Sequence, residues 1–360
     1  MTGVTGTPFL VVDDERLEAN LARVADRARG AGVLVRPHAK THKCVEIARR
    51  QIAHGAAGLT VATVGEAEVF AAVDEVREIF IAYPLWVTPA MAGRLISIAR
   101  IVSLRVGIDS AEGARHLADS LHEAGDGGAP LEVVVEIDSG QHRTGTSPRV
   151  AGEVARAAVD AGLDVVGVFT FPGHSYGPGD TRARAADQEI TALAEAAQGL
   201  RANGIEPRVR SGGSTPTVRF TGQLAAGVLT EIRPGVYPFN DAQQVEIGSC
   251  TFDDVALTSS STVVHRNGSR IVVDAGSKIL GADRPAWASG FGRLLDHPEA
   301  RITALSEHHA VIDFPADAAV PALGSVVRVV PNHVCSAVNL VDELVVDDVR
   351  WPVAARGRNS

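Results

Sequence analysis

Two textures of apolar and polar positions divide this chain. From about residue 15 to residue 240, short β-branched runs alternate with Ala-rich, charged segments whose apolar positions recur at i, i+3, i+4 and i+7. The runs are "GVLVRP", "GLTVAT", "EIFIAY", "VSLRVGID", "LEVVVEID", "VVGVFTF", "PRVRSGG" and "LTEIRPG". Segments such as "KCVEIARRQIAHG" and "AGEVARAAVDAGL", with glycines near their ends, read as the intervening helices. About eight strands alternating with helices predict an α/β fold, a closed (β/α)8 barrel of the TIM type. After Tyr237 the helical period fades: "DVALTSSSTVVHR", "SRIVVDAGS", "EHHAVIDF" and "SVVRVVPN" predict a smaller, mostly β C-terminal domain. The expected domains are 13–240 and 241–360. The leading "TPFLVVDD" reads as one more strand, and the sequence leaves open whether residues 1–12 join the second domain.

Composition narrows the role. A chain of 360 residues exceeds the size at which one core usually stops growing. A net charge of -9 opposes a polyanionic partner, so nucleic acid is not expected and a small-molecule substrate is. The start "MTGVTGTPFLVVDDE" has no basic segment followed by an apolar one, and no run approaches the ~18 apolar residues of a membrane span, so no membrane partner and a cytoplasmic location are expected. Cys44, Cys250 and Cys335 are scattered singly, which argues against disulfides. Cys44 and Cys250 read as packing residues.

Barrel active sites sit in the loops after the strands. Those loops read "RPHAKTHK", "YPLW", "DSGQHRTG", "PGHSYG", "SGGSTPT" and "RPGVYPF". Consecutive glycines let backbone N–H groups approach an oxyanion, and Ser and Thr hydroxyls add donors, so "SGGSTPT" with Tyr237 reads as a phosphate site or, more plainly, as a turn and a packing tyrosine. Lys40 lies between His38 and His42. In a cation-rich setting made by His38, His42, Arg36 and Lys43 its amine would be a competent nucleophile. An amine facing a phosphate site across a barrel mouth points to a phosphorylated aldehyde held as a Schiff base, pyridoxal phosphate (PLP).

Taken in order, "RPHAKTHK", "DSGQHRTG", "GHSYG", "SGGSTPT", "RPGVYPFND" and "PNHVCSAVNL" resemble the D-serine dehydratase and D-threonine aldolase family of PLP enzymes, which shares its architecture with alanine racemase. The resemblance implies a lyase in which Lys40 holds PLP and His174 and Tyr176 lie beside cofactor or substrate. It places His38 next to that lysine, Arg143 near the cofactor's phenolic oxygen and Arg233 toward its pyridine nitrogen. Gly212, Gly213, Ser214, Thr215 and Tyr237 then lie near the phosphate. It also implies a homodimer.

His333 and Cys335 stand at i and i+2 after an apolar run, and in an extended strand they would project from one face. Imidazole plus thiolate suits zinc and leaves positions open for water and substrate. By itself the pair also fits a packed cysteine beside a surface histidine, and the resemblance turns it toward a metal site. A Lewis acid at the substrate's β-hydroxyl would serve either elimination or carbon–carbon cleavage. The resemblance associates a carboxylate in place of Cys335, and manganese, with aldolases, so Cys335 favours D-serine dehydration to pyruvate and ammonia, with D-threonine aldolase as the alternative. A racemase needs a second base in a segment like "YGDGY", where this chain has "AGSKILGADRPAW". A non-catalytic PLP carrier would need no second domain. A barrel hydrolase using His38, His42 and His174 for a metal predicts a colourless protein.

Overall fold

All eight apolar runs become strands. The computed structural model describes residues 6–125, 131–224 and 227–360, so residues 1–5 of the leading segment lie outside the described residues. After β1 (Phe9–Val12) come β2 (Leu34–Val35), β3 (Leu59–Val61), β4 (Glu78–Pro84), β5 (Ser103–Ile108), β6 (Leu131–Glu136), β7 (Asp164–Phe169), β8 (Val209–Gly212) and β9 (Glu231–Ile232). The eight from β2 onward pair in the order β2-β9-β8-β7-β6-β5-β4-β3, every pair parallel. A parallel bridge between His38 and Thr60 joins the two ends of that order and closes the ring.

The longer helices among the described residues are α1 (Asp14–Ala31), α2 (Val45–Ala53), α3 (Val64–Ala71), α4 (Pro89–Ala99), α5 (Ala111–Glu123), α6 (Ala151–Asp160) and α7 (Thr181–Ala202). Their starts are written in the sequence. Thr63, Thr88 and Ser110 each accept a first-turn N–H of α3, α4 and α5, and Pro89 at the first turn of α4 lacks the N–H that would go unpaired there. None of the described helices is long and apolar enough to cross a membrane.

By its contacts the chain divides into two compact units: residues 23–40, 47–235 and 358–360, and residues 1–22, 41–46 and 236–357. The first is the barrel, and its interior is layered. At the strand starts, Arg36 pairs with Glu231 at 2.9 Å and Glu78 at 2.6 Å, while Arg105 pairs with Glu132 at 2.6 Å. Above this charged floor Phe80, Val134, Val166, Phe169 and Val209 form an apolar layer, with Phe80 and Phe169 meeting edge to face at 4.9 Å. The strand ends above it carry Glu136, Ser211 and the residue after β9, Arg233, all buried. Polar groups at that end are not needed to fill the barrel, so they mark where its chemistry lies.

The second unit is built on a nine-stranded sheet. It contains β10 (Leu257–Asn267), β11 (Arg270–Val273), β12 (Gly292–Leu294), β13 (Arg301–Leu305), β14 (Ala310–Asp313), β15 (Val326–Pro331), β16 (Glu343–Val346) and β17 (Val349–Pro352). The N-terminal β1 joins this sheet, antiparallel to β10 and parallel to β16. Asn20 on α1 donates to Pro238 O at 3.1 Å and Asp254 O at 2.8 Å, adding hydrogen bonds between the N-terminal segment and the rest of this unit.

Candidate active site

Past β2 the chain runs through Pro37 into a tight 3-10 turn, Ala39–Thr41, that presents Lys40. His38 Nδ1 accepts the Lys40 N–H at 3.4 Å, and His38 N donates to Pro234 O at 2.9 Å, so His38 fixes this turn. Lys40 Nζ lies 5.5 Å from the centroid of the Phe171 ring, and the Arg143 guanidinium carbon lies 5.5 Å from the same centroid. The Tyr176 ring is 6.2 Å from Phe171, centroid to centroid. Three residues predicted from three different loops therefore meet at one aromatic ring. Phe171 itself escaped the sequence reading. Its signal was an aromatic just past β7, in "FTFPGHSYG", at the end of the barrel where loops carry function.

Three of the residues expected to give Lys40 a cationic setting have partners of their own. Arg36 is turned into the barrel floor, where Glu231 and Glu78 neutralise it. Lys43 and His42 belong to the other unit, where Lys43 Nζ donates to Asn339 Oδ1 at 2.7 Å and His42 Nδ1 accepts the Cys44 N–H at 3.1 Å.

Arg233 is fully buried. Its Nε donates to Ser211 Oγ at 2.8 Å, its Nη2 donates to Thr170 O, and its guanidinium lies 5.2 Å and 5.6 Å from the rings of Phe169 and Phe80. Burial lowers its proton affinity, while Glu231, Glu189 and Glu136 sustain its charge. Burial likewise raises the Glu136 carboxyl against the pull of Thr144, Arg233 and Arg143, and one of its oxygens is buried with no hydrogen-bond partner. An orphaned acceptor at a barrel mouth is the kind of group a ligand satisfies.

In the glycine loop, two of the donors expected to face an oxyanion are already engaged. Gly213 N donates to Glu189 Oε1, and Ser214 N donates to Thr217 Oγ1 at 2.9 Å. The glycines are required by crowding: a Cβ on Gly212 would collide with Glu189 Oε1, and Gly213 has φ +80° with Ile232 against it. Ser214 Oγ lies 3.0 Å from Ser175 Oγ, and Thr215 opens the turn that follows. His174 donates from Nε2 to Gln188 Oε1 of α7 at 2.9 Å and packs over Gly140. Tyr237 is buried and belongs to the second unit. An amine, an aromatic wall, two guanidiniums and an unsatisfied buried carboxylate fit an anionic aromatic aldehyde such as PLP.

The second unit carries the metal pair, but not on a strand. β15 ends at Pro331, His333 caps the short helix Val334–Val338, and Cys335 lies in its first turn. The bend is enforced by Asp241, fully buried, which accepts the Val334 N–H at 3.0 Å and the Gln244 N–H at 2.9 Å. The two side chains still meet, since the imidazole of His333 is hydrogen-bonded to Cys335. Asp283 accepts from His333 Nδ1, so a ligand approaching this imidazole would meet Nε2, and Cys335 Sγ sits 3.2 Å from Thr41 Oγ1. Burial opposes the charged imidazole, yet the Cys335 thiolate, Asp283 and Asp241 outweigh it and raise His333 to about 11. Among the described residues no three His, Cys, Asp or Glu side chains form a ready-made cage. The donor set fits a borderline-soft divalent ion with a carboxylate orienting the histidine from behind. Asp283→Asn is expected to weaken metal binding about 10- to 100-fold, measured by competition with a chromogenic chelator. Equal affinity would deny Asp283 that role.

Residues 12–242 match the family described as alanine racemase, N-terminal domain, and residues 256–346 match a serine dehydratase domain. A D-threonine aldolase of Arthrobacter sp is 33% identical over 98% of this chain and 93% of its own length. The D-threo-3-hydroxyaspartate dehydratase of Delftia sp. (strain HT23) is 33% identical over 92% of this chain and 91% of its own. A cysteine-to-alanine variant of D-threo-3-hydroxyaspartate dehydratase, solved in metal-free form, superimposes with a TM-score of 0.86 at 31% identity, covering 97% of both chains. The chain belongs to the D-serine dehydratase and D-threonine aldolase family of PLP-dependent lyases. As a member of that family it has the alanine racemase-like architecture, a barrel and a mostly β unit.

The residues that escaped the sequence reading are Phe171, Glu136, Glu189 and Asp283. Each acts through a partner far away in sequence, Asp283 on His333 fifty positions on and Glu189 on Gly213 twenty-four on. His308 and His309 are exposed between β13 and β14. Arg184 pairs with Asp180 at 3.4 Å, as an ordinary charged helix start does.

Proposed function

We propose that this lyase removes water from a D-β-hydroxy-α-amino acid, with D-serine as substrate and pyruvate and ammonia as products, using PLP and a divalent ion, zinc before manganese. The observation that carries the reading is the His333–Cys335 pair with Asp283 behind it, a soft two-ligand set that leaves coordination positions for a hydroxyl and water.

PLP, when bound, supplies the electron sink that allows a bond at the substrate's α-carbon to break. Lys40 would hold it through Nζ and offers, at that same atom, the base for the substrate's α-proton. Arg143 and Tyr176, gathered with Lys40 at Phe171, would lie beside the bound cofactor, where the Arg143 guanidinium could offset the charge of its phenolic oxygen. Arg233 would face the ring nitrogen of the bound cofactor as a donor that keeps its own proton, because the carboxylates around the guanidinium sustain its charge. Such a partner would leave the cofactor a weak electron sink, and a divalent ion held by His333 and Cys335 could supply Lewis-acid help at a β-hydroxyl.

The second reading is D-threonine aldolase, favoured by the 33% identity to the Arthrobacter enzyme along nearly the whole chain. There a base draws the β-hydroxyl proton and the Cα–Cβ bond breaks. Product analysis with PLP and zinc or manganese separates them. D-Serine yielding keto acid and ammonia establishes the dehydratase, and D-threonine yielding glycine and acetaldehyde in its place overturns it.

A further inference from the structure

Glu189 is an expensive residue for its place. It lies on the face of α7 that otherwise buries Ala185, Ala186, Ala192 and Leu193, and it is itself 2% exposed. A fully buried carboxylate gives up its hydration, and only strong partners offset that loss. A helix packing on a barrel has no such need, since an apolar side chain of similar size would fill the space at lower cost.

What the carboxyl does is local and specific. Gly213 N–H donates to Glu189 Oε1, and the carbonyl of the same peptide unit, Gly212 O, accepts the Arg233 N–H at 2.8 Å. One peptide plane is thus clamped at both ends, by a side chain from α7 and by backbone just beyond β9. Neither glycine tolerates a Cβ, Gly212 because Glu189 Oε1 occupies the position and Gly213 because Ile232 does. Burial raises Glu189 to about 7, and the Gly213 N–H and Arg233 act against that rise. Either protonation state can accept the Gly213 hydrogen bond. Downstream, Ser214 is tied to Ser175 and Thr217, so the clamped plane leads directly into a segment that is itself held at Ser214.

We propose that Glu189 is a positioning residue for the cofactor's phosphate: by holding the Gly212–Gly213 peptide it aims the Ser214–Thr215 segment at the phosphoryl group. This rests on the PLP reading above. Glu189 touches neither cofactor nor substrate, and its effect is confined to the phosphate end of the ligand.

The test uses the full chain freed of cofactor, titrated separately with PLP and with pyridoxal, which lacks the phosphate, and followed by visible absorbance. Glu189→Ala is expected to weaken PLP about 10- to 100-fold, the loss of one hydrogen bond involving a carboxyl group, while leaving pyridoxal within about 3-fold. Glu189→Gln, which keeps the acceptor oxygen and the shape, is expected to restore PLP affinity. Glu189→Asp, one methylene shorter, covers the case in which the alanine variant does not fold and is expected to show the same selective loss. Equal weakening of PLP and pyridoxal, or failure of Gln to rescue, would reduce Glu189 to a packing role and overturn the proposal alone. Wild-type protein that binds neither compound would overturn the PLP reading as well.

Discussion

Lys40→Ala is expected to lose the visible absorption of lysine-bound PLP and to reduce kcat/KM about 1,000-fold or more. The reason is that one atom has two duties. Nζ anchors the cofactor and then carries the substrate's α-proton, so its removal takes away both the holding and the proton transfer. Free PLP diffusing into the barrel could restore the electron sink but no base at the α-carbon. Absorbance of the purified variant, with turnover measured in saturating PLP, checks both parts. A variant that kept the absorption of the lysine-bound form would mean another amine holds the cofactor. The aromatic surroundings matter here too, because both Lys40 and Arg143 lie against the one Phe171 ring.

The largest stability effect is expected at the other end of the barrel. Arg36→Met leaves Glu231, 2% exposed, without its nearest partner, and breaking a buried pair in this way costs about 3 kcal/mol or more. Arg105, 3.6 Å from Glu231, keeps the loss from being greater. The midpoint of urea unfolding reads the change. Replacing both residues, Arg36→Met with Glu231→Met, is expected to recover much of it, because no buried charge is then left unpaired. The pair also sets an acid limit. Burial pushes Glu231 up, but Arg36, with Ser211 and Arg105, outweighs it and holds the carboxyl below the ordinary glutamate range. Stability from this group is therefore complete above the unfolded glutamate value and is lost as pH falls through the lower folded one. A wild-type protein whose urea midpoint did not move across that acid interval would contradict the assignment.

Much of this was legible in the chain itself. Buried parallel strands must be apolar on both faces, so "LEVVVEID" and its counterparts announced the barrel, and loops such as "DSGQHRTG" held polar residues that packing does not demand. What the sequence hid were consequences of direction. Arg36 and Lys40 are four positions apart, yet Arg36 points into the floor, and no periodicity signals that reversal through a proline and a tight turn. His333 and Cys335 were read on an extended strand because "SVVRVVPN" is one. The strand stops at Pro331, and a buried carboxylate ninety-two positions before His333, Asp241, captures the N–H of Val334 and starts a helix. The closing hairpin was hidden for a third reason: Asp347 and Asp348 both take positive φ, of 45° and 65°, a tight-turn geometry more often written Asn-Gly.

The two units also interleave along the chain. Lys40 ends a stretch of the barrel, Thr41 begins residues 41–46 of the other unit, and α2 carries the chain back. The peptide bond after the lysine is thus a seam, and the hydroxyl next to Cys335 is supplied by the residue on its far side, Thr41. Neither unit can be lifted out as a cassette by cutting near residue 235, because the excised barrel would carry away a strand of its neighbour's fabric. Shuffling this barrel onto another β module would demand that residues 41–46 be rewritten to suit the new host.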